Sequence, residues 1–153
     1  MSADAKRPIA QNRKARHDYI IESTLEAGLV LTGSEVKSLR RGRCSIGEAY
    51  AHEQGGELYL RGMHISPYEA ANRRNHEPLR PRKLLVHRRE LAKLLGQVQR
   101  GGYTLVPLSI YFNERGIAKV ELALARGKRK ADKRQSEKKR DWSRQKARLL
   151  RDR

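Results

Sequence analysis

The sequence predicts a mainly β fold, built as a small antiparallel barrel with two or three short flanking helices and a disordered basic C-terminal tail. Two observations predict this fold class. About six short segments rich in β-branched and apolar residues are separated by glycine, proline and asparagine, as in small closed barrels. The final segment is dominated by Lys and Arg and has too few apolar residues to form a core of its own.

The composition divides the chain into three parts. We expect residues 1–16 to form a basic flexible arm, residues 17–125 the barrel and residues 126–153 the tail. The predicted strands cover residues 17–25, 29–31, 46–52, 58–65, 103–112 and 117–125. A break between the first two is predicted at Ala27-Gly28, because glycine interrupts regular strands, and Pro107 predicts an edge position or a bulge.

Two helices are predicted between the strands. Ser34 is the expected N-cap of a short helix that ends at Gly42, and apolar residues at helical spacing over 91–98 predict a second helix, stopped by Gly101-Gly102. Residues 69–83 are polar and contain two prolines, which predicts a surface loop. This order of elements fits an OB-like barrel, and other small β-barrels have the same pattern.

Charge is the strongest indication of function. The chain has 35 Lys and Arg against 17 Asp and Glu, a net charge of +18, which favours a polyanionic partner. Nucleic acid is the commonest such partner, and an acidic membrane surface is the alternative. No apolar run approaches the ~20 residues of a membrane-spanning helix, and the basic N-terminus lacks the apolar stretch of a signal peptide. We therefore expect a cytoplasmic protein with no membrane partner.

More than half of this excess charge lies in the tail. Residues 126–153 contain 14 Lys and Arg and 4 Asp and Glu, a net charge of +10. Alone, such a segment buries too little surface to offset its ordering entropy, so we expect disorder. Its residue types nevertheless favour a helix, in which Trp142, Leu149 and Leu150 share one face. This pattern is typical of a segment that folds on binding, and the alternative is a basic tail that only adds solubility.

The sequence offers no catalytic set. The single cysteine, Cys44, excludes an internal disulfide and a cysteine-based zinc site within this chain. The five histidines have no metal-binding spacing, and no nucleotide-binding loop or nucleophile motif is present. We therefore expect no enzyme activity, no metal, no cofactor and no small-molecule substrate.

Two clusters of cations and rings are candidate RNA-binding residues, because cations contact phosphates and rings stack on unpaired bases. The first cluster is Asn12, Arg13, Lys14, Arg16, His17 and Tyr19, and the second is Lys37, Arg40, Arg41 and Arg43. Each cation taken alone is more simply a solvated surface charge, and Tyr19 is equally a tyrosine at the edge of the core. These residues leave two interpretations close together: an RNA-binding adaptor, and a structural ribosomal or generic RNA-binding protein. An RNA-processing enzyme is disfavoured by the missing catalytic residues.

Five strings of residues resemble a known family. They are NRKARHDYII from Asn12, EAGLVLTGSEVKSLRRG from Glu26, ISPY from Ile65, RKLLVHRREL from Arg82 and GKRKADKR from Gly127. In this order they make the chain similar, over nearly its whole length, to the SsrA-binding protein family, also called small protein B. The resemblance implies an OB-fold barrel with flanking helices and a tail that is unstructured in solution.

The resemblance also implies a function in bacterial ribosome rescue. The barrel of the family binds the tRNA-like domain of tmRNA, while the tail enters the empty mRNA channel of a stalled ribosome at the decoding centre and becomes helical. The tmRNA then provides the template for a tag that marks the incomplete protein for degradation, a process called trans-translation. Elongation factor Tu and alanyl-tRNA synthetase act on the same tmRNA. The resemblance therefore favours the adaptor.

Particular positions receive roles from the resemblance. The positions that match family positions linked to tmRNA binding are Asn12, His17, Glu26 and Leu85. Lys128 and Arg129 match the family's basic pair after the glycine, which we expect to bind RNA. Those that match ribosome-binding tail positions are Asp132, Lys133, Arg134, Leu149 and Leu150. One position departs from the family pattern, because Ala131 stands where the family usually has a histidine or tyrosine that stacks on an rRNA base. Stacking is then either dispensable or replaced by a neighbour such as Lys130.

Overall fold

A computed structural model of the chain describes residues 7–128 and 140–149, apart from the side chains of residues 72 and 73. The strands within this part of the chain are β1 (Ala10–Gln11), β2 (Tyr19–Leu29), β3 (Cys44–Ser45), β4 (Tyr50–Gln54), β5 (Glu57–Arg61), β6 (His64–Ile65), β7 (Arg82–Leu85), β8 (Tyr103–Phe112) and β9 (Ala118–Gly127). The α-helices are α1 (Arg13–Asp18), α2 (Gly33–Arg40), α3 (Arg88–Gln99) and α4 (residues 140–149), with a 3₁₀ helix at Glu69–Arg74.

Seven of the strands form one antiparallel sheet that closes on itself. Their order is β1-β8-β4-β5-β7-β2-β9, and β9 pairs back to β8. The consecutive long strands β8 and β9 pair with each other, and β9 also pairs with β2 along nearly its full length, which closes the barrel. The predicted mainly β antiparallel barrel with short helices is therefore confirmed.

The barrel has two apolar clusters, and a bulge in β8 lets that strand contribute to both. The register between β8 and β9 shifts between Pro107 and Ser109, as the proline predicted. Because a bulge reverses the alternation of side chains, Leu105 and Ile110 pack in the main core although their numbers differ in parity. Leu108, on the other side of the sheet, packs with Ala15 of α1 in a second, smaller cluster. The bulge thus adds Leu108 to the apolar surface against which α1 packs.

The predicted domain boundary at residue 17 lies too far along the chain. β1 pairs with Ile110 and Ser109 of β8, and α1 follows at once, so residues 10–16 belong to the folded body and are not a flexible arm. Sequence reasoning missed these elements because a two-residue strand and a six-residue helix are too short to display a hydrophobic period. Residues 1–6 lie outside the described residues.

Two predictions about local structure, in β2 and α2, were also wrong. The first strand begins at Tyr19 and continues through Gly28, where a Cβ would lie 3.1 Å from Leu85 Cβ, so the glycine permits close approach of β7 and does not break the strand. Helix α2 is capped by Thr32, whose N–H donates to Glu35 Oε1 at 2.8 Å, and not by Ser34.

The segment 69–83 is also not simply a surface loop. It contains the 3₁₀ helix and β7, and Arg82 within it is completely buried. Its guanidinium donates to Glu35 Oε2 and to the Met63 carbonyl, both at 2.5 Å. A buried arginine has no hydrophobic signature in a sequence, because it becomes favourable only when a distant carboxylate meets it.

Part of the tail is helical. Residues 140–149 form α4, whereas we expected a tail that becomes helical only on binding. The segment has Lys, Arg, Gln and Ala and no proline or glycine, which explains its helical geometry. The rest of the tail beyond Lys128, residues 129–139 and 150–153, lies outside the described residues.

Candidate RNA-binding site

Helix α1 is held on the barrel by its N-cap, Asn12. The side-chain Oδ1 accepts from the Ala15 N–H at 3.2 Å, while Nδ2 donates to the carbonyls of Pro107 at 3.1 Å and Ile46 at 3.4 Å. Asn12 is 8% exposed. These bonds use the amide inside the protein, so its geometry is that of a residue which positions α1 rather than one which contacts RNA.

The exposed face of α1 is basic. Ala15 is buried against the second cluster, whereas Arg13, Lys14 and Arg16 are exposed to solvent. A six-residue helix with one apolar contact projects these three cations together from the surface. They are therefore exposed and able to contact phosphate groups, and their role in RNA binding stays a prediction.

The remaining residues of the first cluster lie where the tail begins. His17 Nδ1 is 3.0 Å from Asp18 Oδ1, and Tyr19 packs half-buried on the second cluster, at the edge of the core. The N–H of Lys128 donates to the Asp18 carbonyl at 3.0 Å. The structure therefore places the start of the tail against the end of α1.

A cleft of about 660 Å³ lies beside α1 on the outside of the barrel. Arg13 and Arg16 line it from the helix, Glu26 from β2, Tyr111 from β8 and Glu121 from β9. Glu26 lies fourteen positions after Asn12, the cap of α1, so the fold of the barrel brings this carboxylate next to the basic helix. The cleft combines cations for phosphates with a carboxylate that can accept base N–H groups.

The pairing of the strands places four residues in one row on the outer face next to this cleft. Tyr111, Lys119, Gly28 and Leu85 are successive cross-strand partners on β8, β9, β2 and β7. Partners in register share a face, so this row runs along one surface of the barrel. Leu85 is 53% exposed, which is a large value for a leucine and marks a contact surface.

Glu26 lies in the neighbouring row of this surface. It is opposite Glu121, and Glu121 is opposite Ser109. Glu26 Oε2 accepts a hydrogen bond from the hydroxyl of Tyr111. Burial of Tyr111 and this hydrogen bond raise the pKa of Tyr111 well above its ordinary value, so the phenol remains a donor in alkaline as well as neutral solution.

Sequence reasoning missed Tyr111, Lys119 and Glu121. The two charged residues alternate with apolar ones along β9, a signal that placed them on the outer face. Their neighbours on that face depend on the register, however, which the alternation does not reveal. Tyr111 gave no signal, because it lies in an apolar run and its hydroxyl is its only polar group.

The second basic cluster forms a different surface. Lys37 Nζ lies 5.6 Å and Arg41 Cζ 4.8 Å from the centre of the Tyr68 ring, so both cations flank one aromatic side chain. Arg40 Cζ lies 5.0 Å from the centre of the Phe112 ring. None of these residues lines the cleft beside α1, so the structure does not bring Lys37 together with Arg13 and Glu26.

The predicted tail site is only partly described. Trp142 and Leu149 are in α4 and are 63% and 67% exposed, large values for apolar side chains. Positions seven apart lie on one helix face, as predicted. The remaining residues of the predicted tail site lie outside the described part of the chain: Asp132, Lys133, Arg134 and Leu150, together with Ala131. The predicted RNA-binding residue Arg129 also lies outside it.

No candidate metal site or membrane span is present in the described ranges. Residues 7–128 and 140–149 contain no group of three or more His, Cys, Asp or Glu side chains arranged to hold a metal ion. No helix within them is long and apolar enough to cross a membrane.

Comparison with known protein families shows to which family the chain belongs. The model of the family described as SmpB protein matches residues 9–152. The chain belongs to the SmpB protein family. Curated relatives in this family are named SsrA-binding protein: that of Rhodopseudomonas palustris is 59% identical over 145 residues, 95% of this chain and 92% of the relative. That of Bradyrhizobium diazoefficiens is 58% identical over 154 residues, 99% of this chain and 98% of the relative.

The similarity extends to a third relative and to a solved structure. The SsrA-binding protein of Moorella thermoacetica is 60% identical over 145 residues, 95% of this chain and 94% of the relative. A solved structure of tmRNA–SmpB in the bacterial ribosome includes a chain with 54% identity and a TM-score of 0.65, and the match covers 81% of this chain and 90% of that one. The SmpB fold of the chain is thus shown by sequence and by structure.

Proposed function

We propose that this chain binds the tRNA-like domain of tmRNA and brings it to stalled ribosomes, where it enables trans-translation and the tagging of incomplete proteins. The observation that carries the proposal is the cleft in which Arg13 and Arg16 of α1 lie beside Glu26 of β2. The names of the SmpB relatives and of the tmRNA–SmpB structure support the same function. The protein acts as a binding adaptor and carries out no reaction itself.

The tRNA-like domain binds on the outer surface of the barrel next to α1. Arg13, Lys14 and Arg16 contact phosphates, which fixes the position of the RNA, and Glu26 accepts an N–H group of a base. Leu85 extends the same face with an exposed apolar side chain that packs on a base or sugar. Asn12 supports the surface by capping α1, and His17, near the other end of the helix, adds to the RNA-binding residues.

The surface around Lys37 makes a second, independent RNA contact. Lys37 and Arg41 flank Tyr68, and Arg43 lies at the exit of α2, where it pairs weakly with an exposed glutamate. Two basic surfaces on one barrel suit an adaptor that holds tmRNA on one side and ribosomal RNA on the other. A structural ribosomal protein is the alternative function that this second surface favours.

The tail detects a stalled ribosome by binding in its empty mRNA channel. The chain leaves the barrel at Lys128, beside α1, so the tail starts at one end of the proposed tmRNA surface. We place the tail beyond Lys128 in the empty mRNA channel, with the helix of Trp142 and Leu149 packed against ribosomal RNA. The basic residues at 128, 129, 133 and 134 contact its phosphates, and Ala131 leaves base stacking at the decoding centre to neighbouring side chains. Elongation factor Tu and alanyl-tRNA synthetase join through the tmRNA itself.

A gel-shift titration tests the proposal. The purified full chain is titrated against the tRNA-like domain of tmRNA, with ordinary tRNA as competitor, at several salt concentrations. Tight binding that resists the competitor supports a shaped RNA surface. Equal binding of both RNAs, lost steeply as salt is raised, contradicts it, because purely phosphate contacts depend on counterion release.

A further inference from the structure

Glu26 is unusual among the acidic residues of this basic chain. It lies directly opposite Glu121 in the register of β2 and β9, so two carboxylates face each other on the outside of the barrel. Like charges in this arrangement repel. Within the described ranges neither carboxylate forms a salt bridge, although Arg13 and Arg16 line the same cleft.

Hydroxyl groups hold both carboxylates instead. Tyr111 OH donates to Glu26 Oε2, and Ser109 Oγ donates to Glu121 Oε2 at 3.4 Å. Tyr111 is only 8% exposed, so its ring is fixed in the wall of the barrel while its hydroxyl reaches the cleft. The donor is therefore rigid, whereas the glutamate that it holds is solvent-exposed and would otherwise sample several rotamers.

The hydrogen bond leaves one oxygen of the carboxylate available. Glu26 Oε2 receives the tyrosine hydroxyl, and Oε1 has no hydrogen-bond partner in the described part of the chain. A carboxylate accepts hydrogen bonds only, so within a cleft for RNA it suits the N–H edge of a base and repels phosphate. The neighbouring arginines have the opposite preference.

We infer that Tyr111 is a positioning residue for RNA recognition, which holds Glu26 so that its second carboxylate oxygen accepts an N–H group of an unpaired base. This inference rests on the proposed function. The tyrosine does not touch the RNA. It restricts the glutamate to one orientation before the RNA arrives, so less conformational entropy is lost on binding. Burial and the hydrogen bond raise the pKa of Tyr111, which keeps its hydroxyl protonated as a donor.

The chain offers a matched control for this pair. Tyr103 OH donates to Glu22 Oε1 at 2.9 Å, so it is also a tyrosine–glutamate pair between β8 and β2. Neither residue lines the cleft beside α1. Tyr103→Phe thus removes an equivalent hydrogen bond from the same two strands, away from the proposed RNA surface.

The experiment is a double-mutant cycle on the full chain. Affinity for the tRNA-like domain of tmRNA and for ordinary tRNA is measured for wild type, Tyr111→Phe, Glu26→Gln, the double variant and Tyr103→Phe, at several salt concentrations. We expect Tyr111→Phe to weaken binding of the tRNA-like domain about threefold to tenfold, and the double variant to bind no more weakly than Glu26→Gln alone. Tyr103→Phe should bind as wild type does.

Two further readouts separate positioning from a structural role. The thermal midpoint of Tyr111→Phe should fall no further than that of Tyr103→Phe, and the slope of log Kd against log salt should stay unchanged, because no phosphate contact is lost. Any one of three results overturns the inference while leaving the proposed function intact. They are wild-type affinity in Tyr111→Phe, additive losses in the double variant, and no loss of affinity in Glu26→Gln. Equal wild-type binding of the two RNAs overturns the proposed function, and the inference with it.

Discussion

Arg82 and Glu35 form an ion pair in which both side chains are completely buried, with Arg82 Nε 2.5 Å from Glu35 Oε2. Arg80 Nη2 contacts the other carboxylate oxygen at 2.5 Å. The carboxylate also accepts the N–H of Thr32, so it joins the start of α2 to β7 and to the segment before it. The basic surface around Lys37 therefore depends on a buried charge network for its position.

The first prediction concerns the loss of one partner from this network. Arg82→Leu leaves the buried Glu35 carboxylate with half of its charge compensation, which should lower the free energy of unfolding by about 3–5 kcal/mol. Urea denaturation measures the change. Arg89→Leu on the exposed side of α3 is the control and should stay within about 0.5 kcal/mol of wild type. Equal stability of Arg82→Leu and wild type would contradict the role of the pair.

The same network predicts acid sensitivity. Burial acts to raise the pKa of Glu35, but the hydrogen bonds from Arg80, from the Thr32 N–H and from Arg82 outweigh it and hold the pKa at about 2, against 4.5 in the unfolded chain. The folded state therefore binds this proton less readily than the unfolded state does. Stability from Glu35 is fully present above pH 4.5 and is lost as the pH falls towards 2, by about 3 kcal/mol.

Unfolding curves between neutral pH and pH 2 test this dependence. In Glu35→Gln the side chain cannot ionise, so stability should be lower at neutral pH and should fall less steeply over the acid range. An identical pH dependence in the variant and in wild type would mean that other carboxylates account for the acid sensitivity.

The third prediction separates positioning from contact in the first basic cluster. Asn12→Ala removes the cap of α1 and the bonds to Pro107 and Ile46, so it should lower the free energy of unfolding by about 1–2 kcal/mol and also weaken RNA binding. Hydrogen exchange at the Ala15 amide should become faster. Weaker RNA binding with unchanged stability and exchange would show instead that Asn12 contacts the RNA.

The arginines of α1 should behave in the opposite way. Arg13→Gln and Arg16→Gln remove exposed cations, so stability should stay within about 0.5 kcal/mol of wild type. Each should weaken binding of the tRNA-like domain and reduce the slope of log Kd against log salt by about 1. Salt titrations of RNA affinity provide the measurement. An unchanged slope in both variants would place the phosphate contacts elsewhere on the protein.

A fifth prediction defines the boundary between barrel and tail. β9 pairs with β2 as far as Gly127 and Tyr19, and the Lys128 N–H donates to the Asp18 carbonyl. A chain that ends after Lys128 should therefore keep the stability and tmRNA affinity of the full chain but lose tagging on stalled ribosomes. A chain that ends after Ala125 loses these last contacts and should also be less stable. Tagging by the chain that ends after Lys128 would contradict the proposed role of the tail.

Several elements followed from sequence pattern because their signals are local. The strand over 103–112 and the bulge at Pro107 were predicted from apolar residues and one proline, and both are confirmed. The helix over 91–98 was predicted from its apolar spacing and lies within α3. Elements whose stability comes from distant partners were missed, as with β1 and the buried Arg82. Their residue types give no local sign of burial or pairing.

The candidate site divides in the same way. The sequence by itself determined the net charge, the residue types of the first basic cluster and, through five strings of family-like residues, the membership that the family model shows. Only the tertiary structure decided that Arg13 and Glu26 share a cleft and that Tyr111 holds Glu26. Only the tertiary structure shows that Asn12 caps α1 through a hydrogen bond inside the protein. The physical reason is that strand register and burial arise from long-range pairing, which depends on the whole barrel and not on any one segment.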